Sequence, residues 1–245
     1  MGINRRAFVA ATCLVTAAPT LVIAKLREQY KEYNFVDYFD QAKLADRGRI
    51  KGLQGDITKA TLIAASQPRS NHFDVMKSLS EITERGSTGE LFNTRWRDFA
   101  NPLIVKFFHD IGYSQTPYPG DCTPWCAATV SWCLQRTGLR IPADPASSQS
   151  FLNYGQRISD PRLGDICVFT DISDNAHGHV GLFYSQASAE TISILGGNQA
   201  GESRTNCGPG YRQSKINVSQ MSLNPKRSSS VSSHYLSAYI RPNAE

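Results

Sequence analysis

The stretch GDCTPWCAATVSWCL, residues 120–134, decides how this chain is read, because it holds three cysteines and the start of a helix. Thr123 suits a helix N-cap, and Pro124 suits the first helical position, where no amide donor is needed. The amphipathic run that follows ends at Gly138, a residue able to take the left-handed conformation of a helix stop. Cys126 thereby falls in the first turn, where unpaired N–H groups and the positive helix end favour a thiolate. Cys122 lies before the cap. Cys133, two turns beyond Cys126 on the same face, reads as core packing. On helix position alone Cys126 reads equally as a nucleophile and as a buried structural thiol.

Cysteine chemistry needs a base, and five histidines are available. His177 and His179 stand in NAHGHVGLFYS, and His179 opens a predicted strand whose Gly181 and Phe183 share its face. Gly181 would leave room for a substrate backbone beside the imidazole. His72, His109 and His234 sit in segments with no neighbouring catalytic pattern and read as surface or packing residues. The segment ILGGNQ supplies a polar group to orient the imidazole, with Asn198 the first candidate and Gln199 the reserve. An Asn after Gly-Gly, taken alone, reads first as turn chemistry.

Around these motifs the chain divides in three. Residues 1–24 carry Arg5 and Arg6, an apolar run and the small-residue end Val22-Ile23-Ala24, the pattern of an export signal of twin-arginine type. Pro19 and the shortness of that run argue against a permanent membrane span. Residues 25–95 read as helical, in KLREQYKEYNFVDYF, in DITKATLIAAS with Asp56 as its cap, and in NHFDVMKSLSEITE, where Phe73, Met76, Leu79 and Ile82 share a face. From residue 96 onward DICVFT, HVGLFYS, TISILGG and YLSAYI read as short strands of an antiparallel sheet. KRSSSVSS, residues 226–233, reads as a surface loop. The expected class is α+β. The net charge of +5 falls to +3 without residues 1–24, a mild excess with no basic stripe for nucleic acid.

Six segments, NPLIVKFFHDIG, TPWCAATVSWCLQRTGL, SSQSFLNYG, LGDICVF, GHVGLFY and ILGGNQ, occur in an order that resembles the CHAP and NlpC/P60 superfamily of bacterial and phage cysteine amidohydrolases and endopeptidases. The resemblance runs from about Asn101 to Pro242. It implies a papain-like catalytic domain over residues 96–245, in which a helix bearing the cysteine packs on an antiparallel sheet bearing the histidine. It implies Cys126 as nucleophile, His179 as base and Asn198 as orienting residue. Trp125, Gly181 and Gln199 would line the substrate or oxyanion site. The implied reaction is hydrolysis of a peptidoglycan amide through a thioester, with no cofactor, in a periplasmic or extracellular setting. Members of the branch that this chain resembles often carry an acidic residue where Cys122 stands, which raises a disulfide, with Cys207 the preferred partner. Two other readings are an inactive or inhibited wall-binding protein of the same fold, and a zinc endopeptidase using His177 and His179. The second lacks a third ligand in any recognised metal motif.

Overall fold

The computed structural model describes residues 35, 38, 39, 54–115, 119–204, 212–224 and 234–243, with backbone alone at 200–204 and 212. The expected export signal, the first predicted helix apart from those three isolated residues, Cys207 and the loop 226–233 lie outside the described residues. The chain divides into Met1–Asp37 and a compact unit Tyr38–Glu245, to which the following description applies.

Among the described residues, four helices and a six-stranded sheet have defined bounds: α1 (Gln54–Ser66), α2 (His72–Ser80), α3 (Pro102–Asp110), α4 (Cys126–Arg136), β1 (Gln156–Ile158), β2 (Ile166–Asp171), β3 (Gly178–Ser188), β4 (Thr191–Arg204), β5 (Arg212–Ser222) and β6 (His234–Arg241). A 3₁₀ segment, Ser148–Asn153, precedes β1. The strand order is β1-β6-β2-β3-β4-β5. Every neighbouring pair is antiparallel, as expected from the short connections. β2 is buried along nearly its whole length because it is central, flanked by β3 and β6.

Local chemistry explains where the helices begin and end. Asn71 caps α2 by accepting from the Asp74 N–H at 2.8 Å, and Asn101 caps α3 by accepting from the Leu103 N–H at 2.8 Å. Asp56 is not the cap of α1. It lies inside the first turn, buried, and accepts a hydrogen bond from the Ser87 N–H at 2.9 Å. Phe73, Met76, Leu79 and Ile82 are all buried as the periodicity predicts, although α2 stops at Ser80. At the far end of α4, Gly138 takes φ +82°. Its N–H donates to Gln135 and the Leu139 N–H to Leu134, closing the helix as a Schellman motif.

The helices hold one another through buried polar groups. Asp110 at the end of α3 accepts from Lys106 at 2.9 Å and from the Trp132 indole of α4 at 2.9 Å. Burial pushes the Asp110 carboxyl up, but His109, Lys106 and Trp132 together hold it below the usual carboxylate range. Arg136 reaches from α4 to the carbonyls of Ala65 and Gln67, satisfying acceptors left open at the end of α1.

α4 packs on β3 and β4, and α2 packs on α4 and β5. The start of α4 approaches β4 closely at Gly197. A Cβ there would lie 2.5 Å from Thr129 Oγ1 and 2.7 Å from the Trp125 ring, so only glycine lets the start of α4 settle on the strand. Gly197→Ala should therefore overpack this contact and destabilise the fold by about 1–3 kcal/mol. Thermal unfolding would show a lowered Tm; an unchanged Tm would mean that α4 sits less closely on β4 than described.

Candidate active site

Cys126 is the first residue of α4, and the N-cap is Trp125, not Thr123. The Thr123 N–H instead donates to the Gly120 carbonyl at 3.3 Å, so Thr-Pro forms the turn that delivers the chain to the helix. Cys126 is thereby set at the very start of the helix, closer to the open N–H groups than expected. Its Sγ is faced by the backbone N–H groups of Val180, Ala127 and Cys126 itself. The Val180 N–H belongs to the peptide bond that joins His179 to Val180, so the sulfur lies against β3 at the histidine.

The expected low thiol pKa is not what results. Cys126 is buried, and burial raises the thiol above its ordinary value by more than the three N–H groups lower it. The helix position is a local feature, whereas the loss of water around sulfur comes from the sheet beneath it and outweighs the helix field. Cys133 and Cys167 are buried deeper in apolar surroundings and are raised well above the ordinary value, as packing thiols should be. Cys122 is disulfide-bonded. Since Cys126, Cys133 and Cys167 are free, its partner lies outside the described residues.

His179 occupies the start of β3, directly opposite Phe169 of β2. Gly178 before it is obligatory, because a Cβ would lie 2.0 Å from the Phe169 carbonyl oxygen and 2.5 Å from Gln149 Nε2. Gln149, from the 3₁₀ segment, donates to that same carbonyl at 2.9 Å and holds the strand opening in place. The His179 imidazole is buried and its Nε2 has no hydrogen-bond partner. Burial first, and the neighbouring His234 second, pull it down to about 4, while the side chain of Gln199 favours the protonated form.

The two expected orienting residues diverge. Asn198 has φ +57°, and β4 shifts register against β5 between Gly196 and Gln199. This bulge turns consecutive side chains to different neighbours. The Asn198 Oδ1 accepts from Arg95 Nη2 at 3.2 Å. Gln199 is buried, and its Nε2 donates to the carbonyls of Gly196, at 3.0 Å, and of Asn217. With both amide protons so held, Gln199 Oε1 is left without a bonded partner while its side chain acts on His179.

Other expected residues sit differently from their sequence reading. Trp125 is fully buried with its indole Nε1 unpartnered, packed against Gly197, and offers no open binding surface. Gly181 makes no room for substrate, because a Cβ there would meet Ile194 Cδ1 at 3.0 Å and the Leu195 carbonyl at 3.2 Å. Its smallness serves the β3–β4 contact. His177 is exposed and paired with Asp174 at 2.7 Å, in surroundings unlike those of His179. Among the described residues no group of three or more His, Cys, Asp or Glu side chains is placed to hold a metal ion.

His234, expected from its segment to be a surface or packing residue, belongs to the neighbourhood of His179. It opens β6 opposite Asp171, with Nε2 3.5 Å from Asp171 Oδ2, and its charge opposes protonation of His179. No sequence signal marks it, since β6 reaches β2 only by crossing from the end of the chain.

The fold is thus α+β, with a cysteine at a helix start against the histidine-bearing strand of an antiparallel sheet. Residues 114–198 match the family model of the CHAP domain. No curated protein and no solved structure matches the chain.

The depressed His179 value has a consequence for stability. An imidazole whose folded-state pKa lies below 6.5 contributes stability that is fully present above pH 6.5 and is lost as the pH falls toward about 4. The expected outcome of a histidine NMR titration is a His179 midpoint near 4; a midpoint near 6.5 would show the ring to be solvated or charge-paired.

Proposed function

We propose that this protein is a cysteine-dependent amidase or endopeptidase that hydrolyses an amide bond of peptidoglycan. The observation that carries the reading is Cys126 Sγ at a helix start, against the peptide N–H that follows His179. The CHAP match over residues 114–198 supports the substrate class.

Burial favours the neutral thiol and the neutral imidazole, so the resting site is an uncharged pair. Reaction then begins with proton transfer as substrate enters. The imidazole comes within hydrogen-bond reach of Sγ, about 3 Å, takes its proton, and the sulfur attacks the amide carbonyl. The N–H groups of Cys126 and Ala127, at the open helix end, are suited to stabilise the oxyanion. The C–N bond breaks, His179 returns the proton to the leaving amine, and a thioester remains on Cys126. Water then adds to the thioester as His179 accepts its proton. Collapse releases the new carboxyl group and restores the thiol.

Gln199 supplies the third role in this scheme, with Asn198 the alternative given by motif resemblance. Its amide nitrogen is held by two carbonyls, which turns its oxygen toward use as an acceptor for the imidazole N–H. The Cys122–Cys207 disulfide and export through residues 1–24 belong to the same reading. Among the described residues no helix is long and apolar enough to cross a membrane. A second reading, a silent wall-binding protein, draws on one observation, the near-complete burial of Cys126.

Incubation with peptidoglycan and mass spectrometry of the released fragments separates the two. Wild-type protein should release fragments that disappear with Cys126→Ala. Gln199→Leu should lose about 10²-fold or more in rate, the scale of a disabled general base, and Asn198→Leu clearly less. Release that survives Cys126→Ala would refute the nucleophile, and no release by the wild type would favour the silent protein.

A further inference from the structure

The segment that matches the CHAP domain begins at residue 114, yet a cation from outside it reaches the site. Arg95 is 2% exposed. Its position is fixed by strand-like pairing to β5: the Arg95 N–H donates to the Ser214 carbonyl at 2.8 Å, and the Ile216 N–H donates to the Asn93 carbonyl at 2.9 Å. Thr94 forms a bridge with Lys215, and Gln213 Nε2 donates to the Arg95 carbonyl at 3.2 Å. Residues 93–95 thus lie along β5.

From that anchored backbone the guanidinium spans two other segments. Nε donates to the Asp121 carbonyl at 2.6 Å, and Nη2 donates to Asn198 Oδ1 at 3.2 Å. Asp121 opens the turn into α4 and is itself fixed, its buried carboxylate accepting from the Trp96 N–H at 3.0 Å and the Asn101 N–H at 2.9 Å. Asn198 is the one non-glycine residue with positive φ among the described residues, and it directly precedes Gln199. A backbone held in that region needs its surroundings to keep it there. The Arg95 bond is one such restraint. A planar guanidinium with donors at fixed angles sets the spacing of the Asp121 and Asn198 acceptors, which a lysine ammonium cannot do.

We propose that Arg95 is a positioning residue for the amide hydrolysis. It fixes the separation between the turn that delivers Cys126 and the bulge that delivers Gln199, and through both the approach of Sγ to the His179 imidazole. This rests on the hydrolase reading above. It also makes residues 93–95 part of the catalytic unit, so that a fragment beginning at 96 would lack its clamp.

The test uses the purified full chain with Arg95→Met, Arg95→Lys, Asn198→Ala and the Arg95→Met/Asn198→Ala double variant. Three quantities are read: kcat and KM for fragment release, the pH profile of Cys126 alkylation by iodoacetamide, and Tm. A shift of about 1 Å at the reacting atoms costs on the order of 10²-fold in rate. Arg95→Met should therefore lose about 30-fold or more in kcat with KM changed by less than about 3-fold. Asn198→Ala should lose less, and the double variant should be no worse than Arg95→Met, since one bond is removed twice. Arg95→Lys should restore little.

Full kcat per folded molecule in Arg95→Met, or full restoration by lysine, would overturn the proposal, as would losses that only track the folded fraction. If Arg95→Met does not fold, Arg95→Lys and Asn198→Ala decide, and full kcat in both overturns it. Should the wild type release no fragments, the hydrolase reading fails separately. The alkylation profile then decides: altered by the Arg95 variants it upholds positioning of Cys126, and unchanged it refutes it.

Discussion

The site depends on how closely the start of α4 lies on β3 and β4. Gly197 permits the approach by leaving its Cβ position to Thr129 and the Trp125 ring. That contact buries Cys126, brings its sulfur to the Val180 N–H, and removes the water that would otherwise stabilise a thiolate. A looser helix would leave a more acidic and more solvated cysteine, farther from the strand that carries His179. The same approach that assembles the residues therefore keeps them uncharged at rest.

Burial acts on both partners in the same direction. It raises the thiol and lowers the imidazole, so each favours its neutral form. Gln199 works against this by favouring the protonated ring, and His234 works with it. In the proposed mechanism the nucleophile is therefore generated as substrate excludes water and presents an electrophile, in place of a standing ion pair. A thiol held neutral in this way resists oxidation, since the thiolate is the oxidisable form.

Much of the fold was legible because the signals were local. The Thr-Pro before Cys126 and Gly138 after Arg136 bracket α4; HVGLFYS, TISILGG and YLSAYI each fall within an observed strand, and DICVFT does so from Ile166 onward. β5 carries no local strand signal because its core residue Ile216 stands among Ser, Lys, Asn and Gln, with too few apolar positions to show alternation. The site was legible in its residue types but less so in their geometry. A bulge decides that Gln199 and Asn198 face different neighbours, and no residue pattern announces a bulge within GGNQ. The direction of the thiol shift, the nearness of His234 and the reach of Arg95 all arise from tertiary contacts between distant segments, which local sequence does not encode.

The central claim is that Cys126 carries the acyl group between bond cleavage and hydrolysis. Acid quenching of the protein during turnover of peptidoglycan fragments, followed by intact-mass analysis and peptide mapping, tests it most directly. The account predicts an added acyl mass on the peptide containing Cys126, removable by hydroxylamine as a thioester should be. Steady hydrolysis with no adduct, or an adduct on a different side chain, would contradict it.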